Sequence, residues 1–114
     1  MSVIGPFPHS RDRRAIASFD RFELKKILDL YGRMVAAGHW RDYAIGVHPD
    51  VAVFSAFRRA SERPEIRIET RPELRLKQGA FALLGEHGMV LRRGQELGAV
   101  LAPLERRLIR LVER

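Results

Sequence analysis

The sequence predicts an α+β domain with an N-terminal helix, four to five short antiparallel strands in two hairpins, and a C-terminal helix that is kinked or broken at a proline. Apolar residues recur every three to four positions in residues 24–35, alternate with other residues in residues 43–70, and return to the helical spacing from residue 97. The 114 residues suffice for one domain with a single core. We expect a mobile arm at residues 1–17, interrupted by Pro6 and Pro8, and one domain at residues 18–114.

The first helix is predicted over residues 18–38. Asp20 can cap its start, and Glu23, three residues later, completes a capping box. Gly38 is a natural end, because glycine accepts the left-handed conformation that follows a last helical turn. One apolar stripe is expected along this helix, formed by Leu24, Ile27, Leu28, Tyr31 and Val35.

Three strands are predicted in the segment that follows, because the apolar period changes to two. Between the first two strands, Pro49 and Asp50 have turn chemistry, so these strands are expected to form an antiparallel hairpin. The third strand is the run EIRIET, with Ile66 and Ile68 on one face. The alternating positions of the first hairpin are Tyr43, Ile45 and Val47, then Val51, Val53, Ser55 and Phe57.

Two more short apolar runs surround the tripeptide EHG in residues 79–95 and predict a second hairpin with Gly88 at its bend. The last helix carries a leucine seam that must pack against its own sheet, a second copy of the chain or another protein. Pro103 lies inside this helix, lacks a backbone N–H and therefore predicts a kink or a break. The seam consists of Leu97, Leu101, Leu104, Leu108 and Leu111.

One phrase occurs twice, because RPEIRIET at residues 63–70 is followed at once by RPELRLKQ at residues 71–78. Two copies of eight residues do not make a solenoid, whose repeats span about 20–50 residues. In the first copy the alternation predicts a strand over residues 65–70. In the second copy Pro72 favours the first turn of a short helix, and Gly79 favours its end. We therefore expect the two copies to fold differently.

The chain is strongly basic, with 21 Lys and Arg against 14 Asp and Glu, a net charge of +7 and a pI near 11.0. Such a surface attracts polyanions, including nucleic acid. Residues 58–77 hold seven basic residues and four Glu. These charges can neutralise one another in cross-strand pairs, which is the simpler interpretation, or leave a face that binds phosphate.

The first functional hypothesis is a non-enzymatic domain that contacts the backbone of RNA or DNA through an Arg-rich sheet face. Such binding depends on salt and little on base sequence. The residues predicted to contact nucleic acid are Arg41, Arg58, Arg59, Arg63 and Arg67, with Trp40 and Tyr43 as stacking groups. The alternative is a protein-interaction or homodimerisation module that uses the leucine seam, with the Arg-rich face serving solubility.

Several other chemistries lack support in the sequence. The chain has no Cys, so thiolate zinc sites, disulfides and thiol nucleophiles are excluded. The His residues stand in none of the spacings HxH, HxxxH or HExxH, and neither Ser55 nor Ser61 lies in a GxSxG-like setting. No glycine motif for phosphate occurs, and no apolar run reaches the roughly 20 residues of a membrane span. We expect no enzymatic activity, cofactor, metal or membrane association, and a cytoplasmic location.

The run LYGRMVAAGHWRDYAI at residues 30–45, with FSAFRRASERPEIRIETRPEL and KQGAFALL after it, resembles an uncharacterised small-protein family of alphaproteobacteria, which is a domain of unknown function. The resemblance extends from about Phe19 to Leu101. It implies a bacterial cytoplasmic protein. It implies no activity, cofactor or catalytic residue.

Overall fold

The computed structural model describes residues 17–59 and 63–112, with the side chains of residues 111 and 112 left aside. The predicted α+β order is confirmed, with one helix, five strands and a second helix along the chain. The elements are α1 (Arg21–Ala36), β1 (Asp42–Val47), β2 (Ala52–Phe57), β3 (Ile66–Thr70), a short 3-10 helix (Pro72–Leu74), β4 (Phe81–Leu84), β5 (Val90–Gly94) and α2 (Leu97–Val112).

The five strands form one antiparallel sheet in the order β1-β2-β3-β4-β5, and both predicted hairpins are confirmed. Gly88 has a φ of +84°, which suits the bend of the second hairpin. Phe54 lies opposite Ile45 on one side and Ile68 on the other. Because opposite residues share a face, these three positions mark the face of the sheet that the two helices cover.

The start and end of α1 follow the local sequence chemistry. The Glu23 N–H donates to the Asp20 carboxylate at 2.8 Å, and the Asp20 N–H donates to the Glu23 carboxylate at 2.9 Å, so the predicted capping box is confirmed. Gly38 follows the helix with a φ of +84°, as expected. The predicted stripe is partly wrong, because Val35 is 40% exposed. Ile27 is buried as predicted, but the other two buried residues of α1, Leu30 and Met34, were not in the predicted stripe.

The leucine seam of α2 packs against the sheet of the same chain. Its members Leu97, Leu101, Leu104 and Leu108 are all buried, and α2 contacts β4, β5 and α1. Each buried leucine contributes about 1.5–3 kcal/mol to stability. These four side chains therefore offer no surface to a second copy or another protein. Leu111, the last residue of the predicted seam, lies outside the described side chains.

Pro103 does not break α2, which is helical from Leu97 to Val112. The missing N–H would have bonded to the carbonyl of Ala99, one turn earlier. Ala99 is exposed, so water can hydrate that carbonyl. This exposure explains why the helix continues through the proline.

The two copies of the repeated phrase fold differently, as predicted. The first copy enters β3 with Ile66 and Ile68 buried, whereas the second begins with the 3-10 helix that Pro72 opens. Gly79 closes the second copy with a φ of +106°. Leu76 is 92% exposed, so the second copy adds little to the core.

The predicted boundary between arm and domain falls at residue 17. Ala17 is 1% exposed, and its N–H donates to the Pro49 carbonyl at 3.1 Å, so this residue packs with the domain rather than with the arm. The rest of the predicted arm, residues 1–16, lies outside the described residues. In residues 17–59 and 63–112, neither helix is long and apolar enough to cross a bilayer.

Candidate functional site

Four arginines come together at one end of the sheet. β2 ends beside this point and β3 begins there, because the two strands are antiparallel neighbours. β4 also ends here, so the turn of the second hairpin brings Glu86 and His87 close to the arginines. We call the four arginines the arginine cluster, which consists of Arg58, Arg59, Arg63 and Arg67.

Two adjoining clefts open within the arginine cluster. The first has a volume of about 240 Å³ and the second a volume of about 350 Å³. Both are lined by Arg63 and Glu86, so the two clefts are direct neighbours. The first cleft adds Arg58, Arg59 and Glu65, and the second adds Pro64, Arg67 and His87. A phosphate group in either cleft therefore meets at least two guanidinium groups, which bind phosphate through paired hydrogen bonds.

The carboxylate of Glu86 only weakly neutralises the arginine cluster. The guanidinium of Arg58 lies 3.9 Å from this carboxylate, and both side chains are about half exposed. This distance is too long for a hydrogen bond, and exposed ion pairs contribute about 0–1 kcal/mol. Among the described residues, no carboxylate lies within 4.0 Å of Arg59 or Arg67.

Arg63 and His87, which both line the second cleft, are in contact with each other. A nitrogen of the Arg63 guanidinium lies 3.2 Å from Nδ1 of His87. Because a guanidinium can only donate, a hydrogen bond here requires Nδ1 to accept. The other ring nitrogen, Nε2, can then donate to an anion beside Arg63.

The second carboxylate of the clefts, Glu65, is bonded to residues outside the arginine cluster. It accepts a hydrogen bond from Nε1 of Trp40 at 2.7 Å and pairs with Arg107 of α2 at 3.0 Å. Arg107 also lies 3.0 Å from Nδ1 of His39. The side chains of Glu65 and Arg107 are only 16% and 27% exposed, so this pair is largely shielded from solvent. The negative charge of Glu65 is therefore balanced by Arg107.

Of the two predicted stacking groups, Trp40 lies in the core, and Tyr43 lies on the exposed edge of the aromatic cluster that borders it. Trp40 is 1% exposed, and a base cannot reach its ring. Tyr43 is 42% exposed, but its ring stacks on Phe54 at 5.1 Å and meets the edge of Tyr31 at 4.9 Å. Neither residue lines the clefts. Trp40 is accordingly not part of the candidate surface, and none of the described residues that line the clefts has a Phe, Tyr or Trp ring that could stack on a base.

The basic feature is one end of the sheet rather than the predicted sheet face. Arg67 is the only member of the arginine cluster that lies within a described strand, whereas Arg58, Arg59 and Arg63 lie between β2 and β3. Arg41 precedes β1, and its backbone N–H donates to the Phe57 carbonyl at 2.8 Å. Arg41 therefore lies at the same end of the sheet, but it does not line either cleft.

The ion pairs around the repeated phrase differ from the predicted cross-strand pairs. Glu69 pairs at 3.2 Å with Arg71, two residues later in the chain, and Glu65 pairs with α2. Sequence reasoning also missed Glu86, His87 and Arg107. The strand order and the packing of α2 bring these three residues to the site, and no local pattern marks them. Among the described residues, no three His, Asp or Glu side chains gather in a metal-binding group.

Residues 17–101 match the family described as "Protein of unknown function (DUF2794)", and the chain belongs to this family. The resemblance to a domain of unknown function is thereby confirmed. Searches among curated proteins and among solved structures found no match. The family description brings no activity, substrate or partner. The alphaproteobacterial origin and the cytoplasmic location stay predictions.

Proposed function

We propose that this member of a family of unknown function binds the phosphate backbone of nucleic acid at the arginine cluster. The observation that carries the proposal is the pair of adjoining clefts, which four guanidinium groups line. The carboxylates of these clefts are committed elsewhere or distant, since Glu65 is bonded to Trp40 and Arg107, and Glu86 lies 3.9 Å from Arg58. In the part of the chain that the structure describes, no carboxylate balances the charges of Arg59 and Arg67, so positive charge is left where an anion can enter.

The whole chain supports binding to an extended polyanion rather than to one small anion. The net charge of +7 attracts a polyanion over a long range. The clefts are neighbours that share Arg63, so successive phosphates of one strand can occupy them. No described lining residue is Phe, Tyr or Trp, which favours contacts to phosphate over contacts to bases. We therefore expect salt-sensitive binding with little preference for base sequence or for RNA over DNA.

Fluorescence anisotropy of labelled RNA, single-stranded DNA and duplex DNA, titrated at several salt concentrations, tests this proposal. The logarithm of the binding constant should fall linearly with the logarithm of the salt concentration. The double variant Arg59→Ala and Arg67→Ala removes two guanidinium groups that have no carboxylate partner among the described residues. It should reduce the slope by about 1.8 on duplex DNA and about 1.4 on single strands, as expected for two lost phosphate contacts.

A matched control removes the same charge at the other end of the molecule. Arg21 and Lys26 are exposed on α1, whose first turn lies near the turn between β1 and β2. The double variant Arg21→Ala and Lys26→Ala should keep most of the affinity and the slope. An equal loss in both double variants would mean that only the net charge matters, and no binding at low salt would refute the proposal.

A further inference from the structure

The two edges of the sheet differ in their protection against further pairing. β5 carries Arg92 and Arg93, and its register with β4 shifts between Leu83 and Leu84. Charged side chains and bulges are common devices that keep an edge strand unpaired. β1, at the other edge, contains the uncharged run YAIGV at residues 43–47 and has neither Lys nor Pro there. Among the described strands, the β1 edge is the one open to pairing.

The backbone of β1 presents hydrogen-bonding groups on its outer side. The His48 N–H donates to the Val51 carbonyl at 2.9 Å across the first turn, and bonded pairs alternate along an antiparallel ladder. The even-numbered residues of β1 therefore bond to β2. The odd-numbered residues Tyr43, Ile45 and Val47 direct their N–H and carbonyl groups away from the sheet.

The side chains of these odd-numbered residues form an apolar strip along the same edge. Tyr43, Ile45 and Val47 are 42%, 43% and 55% exposed, and all three lie on the face of the sheet that the helices cover. The N–H of Tyr43 bonds to the Asp42 carboxylate at 2.8 Å. The N–H groups of Ile45 and Val47 remain directed outward, with the carbonyls of all three residues.

We propose that β1 pairs in antiparallel fashion with β1 of a second copy of the chain, around a two-fold axis at Ile45. A two-fold axis perpendicular to the sheet places the helix-covered faces of both copies on the same side. Odd-numbered residues of one β1 must therefore lie opposite odd-numbered residues of the other. With Ile45 opposite itself, Tyr43 lies opposite Val47 of the second copy. The apolar strips then form one continuous surface beside the helices.

The polar side chains at the ends of β1 complement each other in this register, because a ring N–H of His48 can donate to the carboxylate of Asp42. Asp42 lies opposite His48 of the second copy, on the face of the sheet that the helices leave open. The Ile45 residues exchange two hydrogen bonds, and each Val47 N–H reaches the Tyr43 carbonyl of the other copy. The product is a ten-stranded sheet with the helices of both copies on one face. Because six residues span only about 20 Å, we expect a dimer that forms with rising concentration.

A single introduced thiol tests the register directly. The chain has no Cys, so Ile45→Cys provides one thiol per copy, placed at the axis. The two Cα atoms of a bonded antiparallel pair are about 5.5 Å apart, which a disulfide can bridge. Leu91→Cys is the matched control, because Leu91 is 51% exposed on the opposite edge strand. Mild oxidation should convert Ile45→Cys into a covalent dimer at least about ten times faster than Leu91→Cys, because only the former is preoriented.

Sedimentation velocity of the full chain between about 5 and about 200 µM provides the second measurement, in the range where a small interface dissociates. The unmodified chain and Leu91→Lys should associate alike, whereas Ile45→Lys places two like charges at the axis and should keep the chain monomeric. Equal oxidation rates of the two Cys variants would overturn the proposal. So would loss of association in Leu91→Lys alone. A monomer whose Ile45 and Val47 amides are protected from hydrogen exchange would show that the chain covers its own edge, and it would also overturn the proposal.

Discussion

Replacing Glu65 by Ala should be among the more costly changes of a single polar side chain in this protein. Glu65 accepts from the buried Trp40 indole at 2.7 Å and pairs with Arg107 at 3.0 Å. Glu65, directly before β3, therefore joins Trp40, two residues before β1, to Arg107 of α2. The change leaves a buried N–H without an acceptor, which costs about 1–3 kcal/mol. It also leaves Arg107 without a carboxylate, and because Arg107 is 27% exposed, water partly offsets that loss.

Together these terms predict a loss of about 2–4 kcal/mol in the free energy of unfolding for Glu65→Ala, out of the roughly 5–15 kcal/mol typical of such domains. Glu65→Gln retains an acceptor for Trp40 and removes only the charge, so it should cost about 1 kcal/mol. Urea unfolding measures both values. Trp40 is the only tryptophan, so its fluorescence reports directly on this position, with circular dichroism as the second probe.

The control for Glu65→Ala is an ion pair in full contact with water. Lys25 and Asp29 lie 3.0 Å apart on α1, with side chains 71% and 62% exposed. Asp29→Ala should cost no more than about 0.5 kcal/mol, because exposed pairs one turn apart contribute little. If Glu65→Ala cost as little as Asp29→Ala, or if Glu65→Gln cost as much as Glu65→Ala, the buried acceptor would not be the source of the stability.

Three further outcomes are expected from the fold. Gly79→Ala should lower the free energy of unfolding by more than about 2 kcal/mol, because φ is +106° and the new Cβ would lie 2.4 Å from the backbone of β5. Gly32→Ala is the control: its Cβ meets open space on α1, so it should raise the free energy of unfolding by about 0.5–1 kcal/mol in the same urea assay. Glu105→Gln should cost only about 0.5–1 kcal/mol and less at high salt, since its two contacts with Arg33, at 2.9 and 3.0 Å, are partly exposed. Burial raises the pKa of Glu23 above its ordinary value of 4.5, so the free energy of unfolding should fall as the pH rises from about 4.5 through the raised pKa. Glu23→Gln should remove that fall in urea titrations across the same pH window.

The parts of the fold that the sequence predicted correctly are those decided by a few neighbouring residues. The capping box of Asp20 and Glu23 and the bend at Gly88 each depend on chemistry within four residues. The stripe of α1 was predicted less well, because α1 packs against both the sheet and α2. The buried residues of α1 also have the three-to-four spacing, so the buried stripe is rotated around α1 from the predicted one, and the spacing alone does not choose between the two.

The candidate site shows the same division between local and distant partners. Arg58, Arg59 and Arg63 are neighbours in sequence, so their clustering could be predicted. Burial of Trp40 could not, because its acceptor lies 25 residues away in the chain. Aromatic residues next to arginines are typical of nucleic-acid surfaces and of a core edge alike. Only the packing of α2 and β3 around the ring decides between the two.

The two proposals together predict how affinity depends on the length of the nucleic acid. In the antiparallel pairing of β1 with its copy, the two arginine clusters lie at opposite ends of the ten-stranded sheet. Strand spacings of about 4.8 Å and rises of about 3.3 Å per residue place the clusters roughly 30 Å apart. A duplex longer than one helical turn, about 34 Å, can contact both, and a shorter one cannot.

Bivalent contact should strengthen binding of a long duplex at least about tenfold over a short one, counted per site. Ile45→Lys should remove this gain and leave the affinity for a short duplex unchanged, since Ile45 lines neither cleft. The double variant Arg59→Ala and Arg67→Ala should instead weaken both duplexes. Anisotropy with the two duplexes, at protein concentrations below and above dimer formation, separates these effects. If Ile45→Lys strengthened binding of the short duplex, as a lysine in contact with phosphate would, β1 itself would contact nucleic acid, and the assignment of separate surfaces for pairing and for phosphate would be wrong.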